Sequence, residues 1–261
     1  MSIQSFLANH PDFYREGLLF FQRRLARESD FEKAYITLRE KEGRVYSDDV
    51  VKALPVYRGG AMLEKEWKIR KRSADKLIGY LKKKPFNSIL EVGCGNGWLL
   101  NYINQSMKIG LLGIDINETE LRQAASLFSP NISFACADVD SDLPSSLRAD
   151  VILLPSALQY FENPIKLITT LITKLNPNGE LHVFDSPLYN ANEVDAAQSR
   201  SKEYFTKQRV EPMKGMYYHH AWNILECFEH VIMHDPRSIR NRVFAKVGTV
   251  SPFPWIKIKA K

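Results

Sequence analysis

Glu91, Asp115 and Asp138 each follow or close a short apolar run, and Gly93, Gly95 and Gly97 come after the first acid at alternate positions. A turn without side chains lets a nucleoside-bearing ligand lie against the main chain. The helix that begins near Gly97 then points free N–H groups at a carboxylate or phosphate. Cys94 sits inside this turn as a small residue. Glu91 can accept a hydrogen bond from a ligand ammonium or order the turn through backbone N–H groups. A carboxylate here suits a cationic ligand better than a pyrophosphate. A dinucleotide fingerprint needs a third small residue at position 98, where this chain has Trp98, and an indole obstructs the close helix–strand packing that glycine permits.

These groups require strands that end on one sheet edge. Ser88–Val92, Gly110–Asp115, Ile132–Asp138 and Ala149–Leu154 are apolar enough for such strands, and a helical stretch from Glu118 to Phe128 separates the second from the third. Asp115 lies 24 positions after Glu91, about the length of one strand-helix-strand unit. Taken alone, Asp115 also reads as the N-cap of the following helix, Asp138 as a loop acid capping the next turn, and Asp140 and Asp142 as solvated loop acids. Leu175-Asn-Pro-Asn-Gly-Glu-Leu181 ends a helix and starts a strand. Asn178 suits left-handed backbone there better than most residues.

Over Ser88 to Leu181 the order and spacing of these motifs resemble the class I S-adenosylmethionine-dependent methyltransferases. Their first motif is an apolar strand, Asp/Glu, and glycines at alternate positions. The resemblance implies a seven-stranded, mostly parallel, doubly wound α/β sheet and S-adenosylmethionine as cofactor. It implies that Glu91, Gly93, Cys94, Gly95 and Gly97 form the loop facing that cofactor and that Asp115 holds the ribose hydroxyls. Ile116 and Val139 would contact the adenine, and Asp138 would accept from its amino group. Ser156 would stand where the methionine part and the acceptor meet. The signatures of amino-methylating DNA enzymes and of cytosine-5 enzymes are absent after Leu154.

The chain has 261 residues, 44% of them apolar, enough for one large domain with attachments. No run approaches the roughly eighteen apolar residues of a membrane span, and Cys94, Cys136 and Cys227 form no Cys-x-x-Cys. A cytoplasmic enzyme without a metal site is expected. Residues 1–62 are expected to form a mainly helical extension, with apolar faces over 20–25 and 31–38, and 63–261 the catalytic core. Tyr57, Arg58 and Trp67 are candidate lid residues. Residues 186–216 separate the fifth strand from the next helix by far more than a normal connection, which predicts a cover, helical around 193–208. An antiparallel pair, 228–234 and 254–258, closes the chain.

The formal charge is +6. Its basic run, Lys65 to Lys84, interleaves with Leu63, Trp67, Ala74, Leu77, Ile78 and Leu81 at helical spacing, as expected of a solvated helix face over a buried stripe. An RNA- or protein-binding face is the alternative, and a small-molecule acceptor is favoured over nucleic acid. A sulfonium donor carries its own leaving group, so the protein must align a nucleophile and exclude water. Where a proton must be moved, His219 and His220 are the expected groups. Tyr160, Asp185, Tyr189 and Tyr218 are expected to orient the acceptor. A binding protein without turnover is the third reading.

Overall fold

The computed structural model describes residues 14–15, 18–20, 30–246 and 250–259. At its centre are β3 (Ser88–Val92), β4 (Gly110–Asp115), β5 (Ser133–Cys136), β6 (Ala149–Pro155) and β7 (Leu175–Phe184), all parallel to their neighbours in the order 5-4-3-6-7. β9 (Trp255–Lys259) runs antiparallel to β7 and to the edge strand β8 (His230–His234). These make up the expected seven-stranded, mostly parallel sheet. Two short pieces extend its other edge: β2 (Leu18–Phe20) pairs in parallel with β5, and β1 (Tyr14–Arg15) pairs antiparallel with β2. Residues 18–20 are therefore strand, at the start of the apolar face expected over 20–25, while 21–29 lie outside the described residues.

Every residue of β3 is buried, because helices cover both sheet faces. Alternation along the strand sends Leu90 and Val92 to one core and Ile89 to the other. Glu91 shares the parity of Ile89. α1 (Asp30–Lys41) and α2 (Asp48–Ala53) precede α3 (Ala61–Leu81), which buries Leu63, Trp67, Ala74, Leu77, Ile78 and Leu81, the expected stripe, the last five of them on the Ile89 face. α4 (Trp98–Asn104) and α5 (Glu118–Phe128) pack on the same side. α6 (Pro164–Ile172) covers the opposite face, started by Asn163 accepting from Lys166 N at 2.9 Å.

Asn178 takes φ +64° inside β7, as its residue type predicts. The long connection after β7 carries α7 (Val194–Gln208), and α8 (Ile239–Lys246) follows β8. A third apolar cluster joins Ala34 and Leu38 of α1 to Phe205, Val210 and Met213 of the insertion. The two attachments thus meet in a small core of their own. No described helix is long and apolar enough to cross a membrane.

Candidate active site

The glycine turn is fixed by β4. The N–H groups of Gly93 and Cys94 both donate to Ile114 O, at 2.8 and 3.1 Å, and Gly95 N donates to Asp115 Oδ2 at 2.8 Å. Gly93 has φ +73°, and a Cβ there would lie 2.8 Å from the Ala157 Cβ; at Gly97, φ is +74° and a Cβ would meet the Phe134 ring at 2.8 Å. Only glycine fits either position. Asp115 Oδ1 accepts from Asn117 N at 2.9 Å, while the cap of α5 is the Asn117 side chain, which accepts from Glu120 N at 3.2 Å. The N-cap reading of Asp115 is thereby corrected: the cap lies two residues on.

Ordering of the turn falls to Asp115, which leaves Glu91 for another role. Glu91 is 2% exposed, and its Oε2 has no hydrogen-bond partner among the described residues. Burial, with Asp115 nearby, holds its carboxyl well above the usual range. A carboxyl at this depth without a partner stays protonated or meets a cation.

Two cavities open along the strand tips. The first, about 310 Å³, is walled by Gly93, Asp115, Ile116, Asp138, Val139 and Ser156, with Phe31 and Tyr35 of α1 across it. Tyr218 lines it too. Asp138 Oδ1 accepts from Asp140 N at 2.8 Å, so this acid shapes its loop as well as lining the cavity. Asp142 is not a free solvated acid, because its Oδ2 accepts from Asp138 N at 2.8 Å. Asp140 pairs with Lys166 at 3.1 Å on the surface. The second cavity, about 130 Å³, holds Glu91, Cys94, Gly95, Trp98 and Glu120, and shares Gly93, Ser156, Tyr35 and Tyr160 with the first.

Beyond them lies a chamber of about 670 Å³ between α1, α3 and α7. Ser156 and Asp185, the residues just past β6 and β7, both adopt left-handed backbone, φ +51° and +54°, and Ser156 Oγ donates to Asp185 O at 3.1 Å. Such strain at strand tips characterises sites that aim side chains. Asp185 Oδ1 accepts from Ser251 Oγ at 2.6 Å and Ser73 Oγ at 3.1 Å; burial lifts its carboxyl above the usual range.

Tyr160 lines all three spaces and meets Phe31, Tyr35 and Tyr217 edge-on at 5.5–5.7 Å between ring centres. Burial keeps its phenol protonated.

The histidines lie elsewhere. Residues 217–220 form no helix, and side chains alternate: Tyr217 packs on His219 at 5.2 Å, and Tyr218 stacks with His220 at 6.5 Å. His219 sits behind the chamber wall, its Nε2 2.8 Å from Ser201 Oγ. His220 is buried, with Nε2 3.2 Å from Leu158 O. Neither lines the chamber, so the structure does not bring them to the strand tips; burial lowers both imidazoles below the usual value.

Of the lid candidates, Trp67 reaches the second cavity, perpendicular to Trp98 at 5.1 Å, and its indole N–H donates to Tyr46 Oη at 3.1 Å. Tyr57 packs on Tyr46, and Arg58 is exposed. Tyr189 lines the chamber. Sequence reasoning missed Arg39, Arg70, Gln159 and Glu120. Glu120, pushed up to about 7 by burial against the pull of Arg39, gave only the signal of an ordinary first-turn acid.

Residues 67–248 match the family described as "Methyltransferase domain". The chain belongs to this family. It is a Rossmann-like fold of the S-adenosylmethionine-dependent class. A malonyl-[acyl-carrier protein] O-methyltransferase of Halalkalibacterium halodurans is 27% identical over 43% of this chain and 46% of its own length. The chain thus spans about half the length of this curated relative. A plantazolicin methyltransferase, BpumL, in complex with a monoazolic desmethylPZN analog and SAH, has a TM-score of 0.54 at 18% identity, covering 89% of this chain and 97% of that one. Magnesium protoporphyrin IX methyltransferase of Synechocystis with bound SAM has a TM-score of 0.53 at 13% identity, over 90% and 100%. These likenesses establish the methyltransferase fold.

Proposed function

We propose that this methyltransferase-family chain transfers a methyl group from S-adenosylmethionine to a small-molecule acceptor held in the chamber. The observation that carries this reading is Glu91: a buried carboxyl oxygen without a hydrogen-bond partner among the described residues, beside a glycine turn that no side chain fills, on a cavity joined to a separate chamber. That donor set fits a ligand with a hydroxylated nucleoside at one end and positive charge at the other.

Asp115, Ile116, Asp138 and Val139 would hold the adenosyl part, and Glu91 with the Gly93–Gly97 main chain the amino-acid part. When bound, the cofactor supplies an electrophilic methyl on a positively charged sulfur. The remaining work belongs to this chain's own residues. Ser156 and Tyr160, on the walls of all three spaces, stand where donor and acceptor sites join. Phe31, Tyr35 and Tyr160 exclude water from that junction. Asp185, with Oδ1 tied to two serines, orients the acceptor and takes a proton where the nucleophile carries one.

Calorimetric titration with S-adenosylhomocysteine tests the donor half. One-to-one binding that weakens in Glu91→Gln is expected, and no binding by the unaltered protein overturns it. Methyl transfer to small-molecule fractions of a cell extract, with no labelled macromolecule, tests the acceptor half.

A further inference from the structure

The chamber wall carries more positive charge than its own acids neutralise. Glu66 takes Arg44 in a two-pronged pair at 2.6 and 2.5 Å and also accepts from Arg70 Nε at 3.0 Å. Glu42 accepts from Tyr204 Oη at 2.5 Å and lies 3.2 Å from Arg44 Nε but 4.0 Å from Arg39. Three guanidiniums therefore share two carboxylates. Arg39 is the least neutralised, with only the long pair to Glu42 and the field of Glu120 beside it: its Nε is buried and has no hydrogen-bond partner among the described residues. It rests over the Tyr35 ring at 5.7 Å and lines both the second cavity and the chamber. Lys65 and Arg200, exposed on the chamber wall, form no ion pair among the described residues. A buried guanidinium N–H without an acceptor is a large unmet demand for an anion, since a desolvated donor loses its hydrogen bond to water and gains none.

We propose that the chamber selects an acidic acceptor, a carboxylate on a flat unsaturated body, with Arg39 as the ligand of the carboxylate. The flat body follows from Tyr189, Tyr204, Tyr217 and Phe253, which line the remaining wall. This inference rests on the methyl-transfer reading, because it takes the chamber as the acceptor site. The cofactor's own carboxylate is the competing occupant of Arg39, which borders both spaces. Lys65 and Arg200 favour the acceptor: they line the chamber and neither of the two cavities at the strand tips. Planar guanidinium is also the side chain best suited to grip a carboxylate in two places.

The test is binding of 2-naphthoate, 2-naphthylmethanol and 2-naphthylmethylammonium to the full chain, each with and without saturating S-adenosylhomocysteine. Naphthoate is expected to bind at least about tenfold more tightly than the neutral and cationic probes. Its affinity should fall as salt screens the wall. Arg39→Gln should lower naphthoate affinity about tenfold and leave S-adenosylhomocysteine affinity within about twofold, with Arg39→Lys in between. The exposed pair Lys65→Gln and Arg200→Gln should weaken naphthoate by a smaller factor without touching the fold. Equal binding of the neutral probe overturns the proposal. So does an Arg39→Gln variant that loses S-adenosylhomocysteine and keeps naphthoate, which assigns Arg39 to the cofactor. Failure of S-adenosylhomocysteine to bind the unaltered protein removes the donor reading instead, and the naphthoate selectivity measured without it judges the charged wall separately.

Discussion

The strand tips and the chamber are built in opposite ways. At the tips, main chain does the work: three glycines in left-handed backbone, N–H groups tied to Ile114 O, and acids at successive strand ends within about fifty residues of sequence. In the chamber, long side chains do it, brought from α1, α3 and α7, which together span more than 150 positions of sequence. A ligand common to many enzymes can be held by backbone shape, which a sheet supplies at its carboxyl edge. A ligand particular to one enzyme needs side chains that can be exchanged without disturbing that edge. The tips should therefore respond to changes in shape, and the chamber to changes in charge and packing.

The largest effect on cofactor binding is expected where shape is tightest. Gly93→Val sets a branched side chain where even a Cβ would stand 2.8 Å from Ala157 and φ is +73°. S-adenosylhomocysteine binding should fall by more than about a hundredfold, about 2.7 kcal/mol by calorimetry. Binding within threefold of the parent would show that the turn tolerates bulk, and the contrast with the chamber would fail.

On the chamber side, Met213 is fully buried where the N-terminal helix meets the insertion. Met213→Ala should destabilise this cover by about 2–5 kcal/mol, read from denaturant melts. Cofactor affinity should fall far less, since the glycine turn and strand ends are held by the sheet and only Phe31 and Tyr35 reach the cofactor cavity from the helix of that small core. A parallel loss of cofactor binding would merge the two regions into one.

These two regions also differ in how far they could be read from sequence. The sheet, the glycine turn and the buried stripe of α3 were legible because their signals are local: period two, period 3.6, and residues that tolerate left-handed backbone. Within the extension, 31–38 was legible as helix from its apolar face, whereas pairing with β5 decides Phe20, and no local pattern announces a partner 116 positions away. Arg39 and Glu120 were invisible for the same reason. On their own helices they look like solvated charges, and only the packing of α1 against the sheet edge puts both on one cavity. His219 and His220 stood out in sequence because imidazole chemistry is conspicuous there, whereas the wall that separates them from the chamber is not legible.

Glu120 sits where the regions touch, and pH tests it. Burial, opposed by Arg39 and reinforced by Asp115, raises its folded-state value from 4.5 to about 7. A raised carboxyl contributes stability that is fully present below its unfolded value and is lost as pH rises through the folded one. Between about pH 4.5 and pH 7 the parent should therefore lose up to about 3 kcal/mol that Glu120→Gln, neutral throughout, does not lose. Urea melts of both proteins across that window measure the difference, and parallel curves would place Glu120 in solvent. A smaller effect is expected at Asp115. Asp115→Ala unties Gly95 N and removes two acceptor oxygens from the first cavity, so donor affinity should drop at least about tenfold, about 1.4 kcal/mol. Unchanged affinity would remove Asp115 from the site.

The smallest effect is expected at His219. Its Nε2 is paired with Ser201 Oγ at 2.8 Å, its ring lies between Tyr189 and Tyr217, and it lines none of the three spaces. If methyl transfer proceeds from the strand tips into the chamber, an acceptor there meets this imidazole only through Ser201 Oγ, which lines the chamber, and not by direct contact. His219→Ala should then leave donor affinity intact and change turnover by less than about threefold, about 0.7 kcal/mol, through looser packing of the wall alone. A loss of a hundredfold with normal donor binding, while Ser201→Ala keeps its turnover, would show that the wall opens during turnover, whereas an equal loss in Ser201→Ala would show a proton relay through that hydroxyl. In the first case an imidazole shielded in this structure works as the base, and the chamber is shaped by motion as well as by side chains.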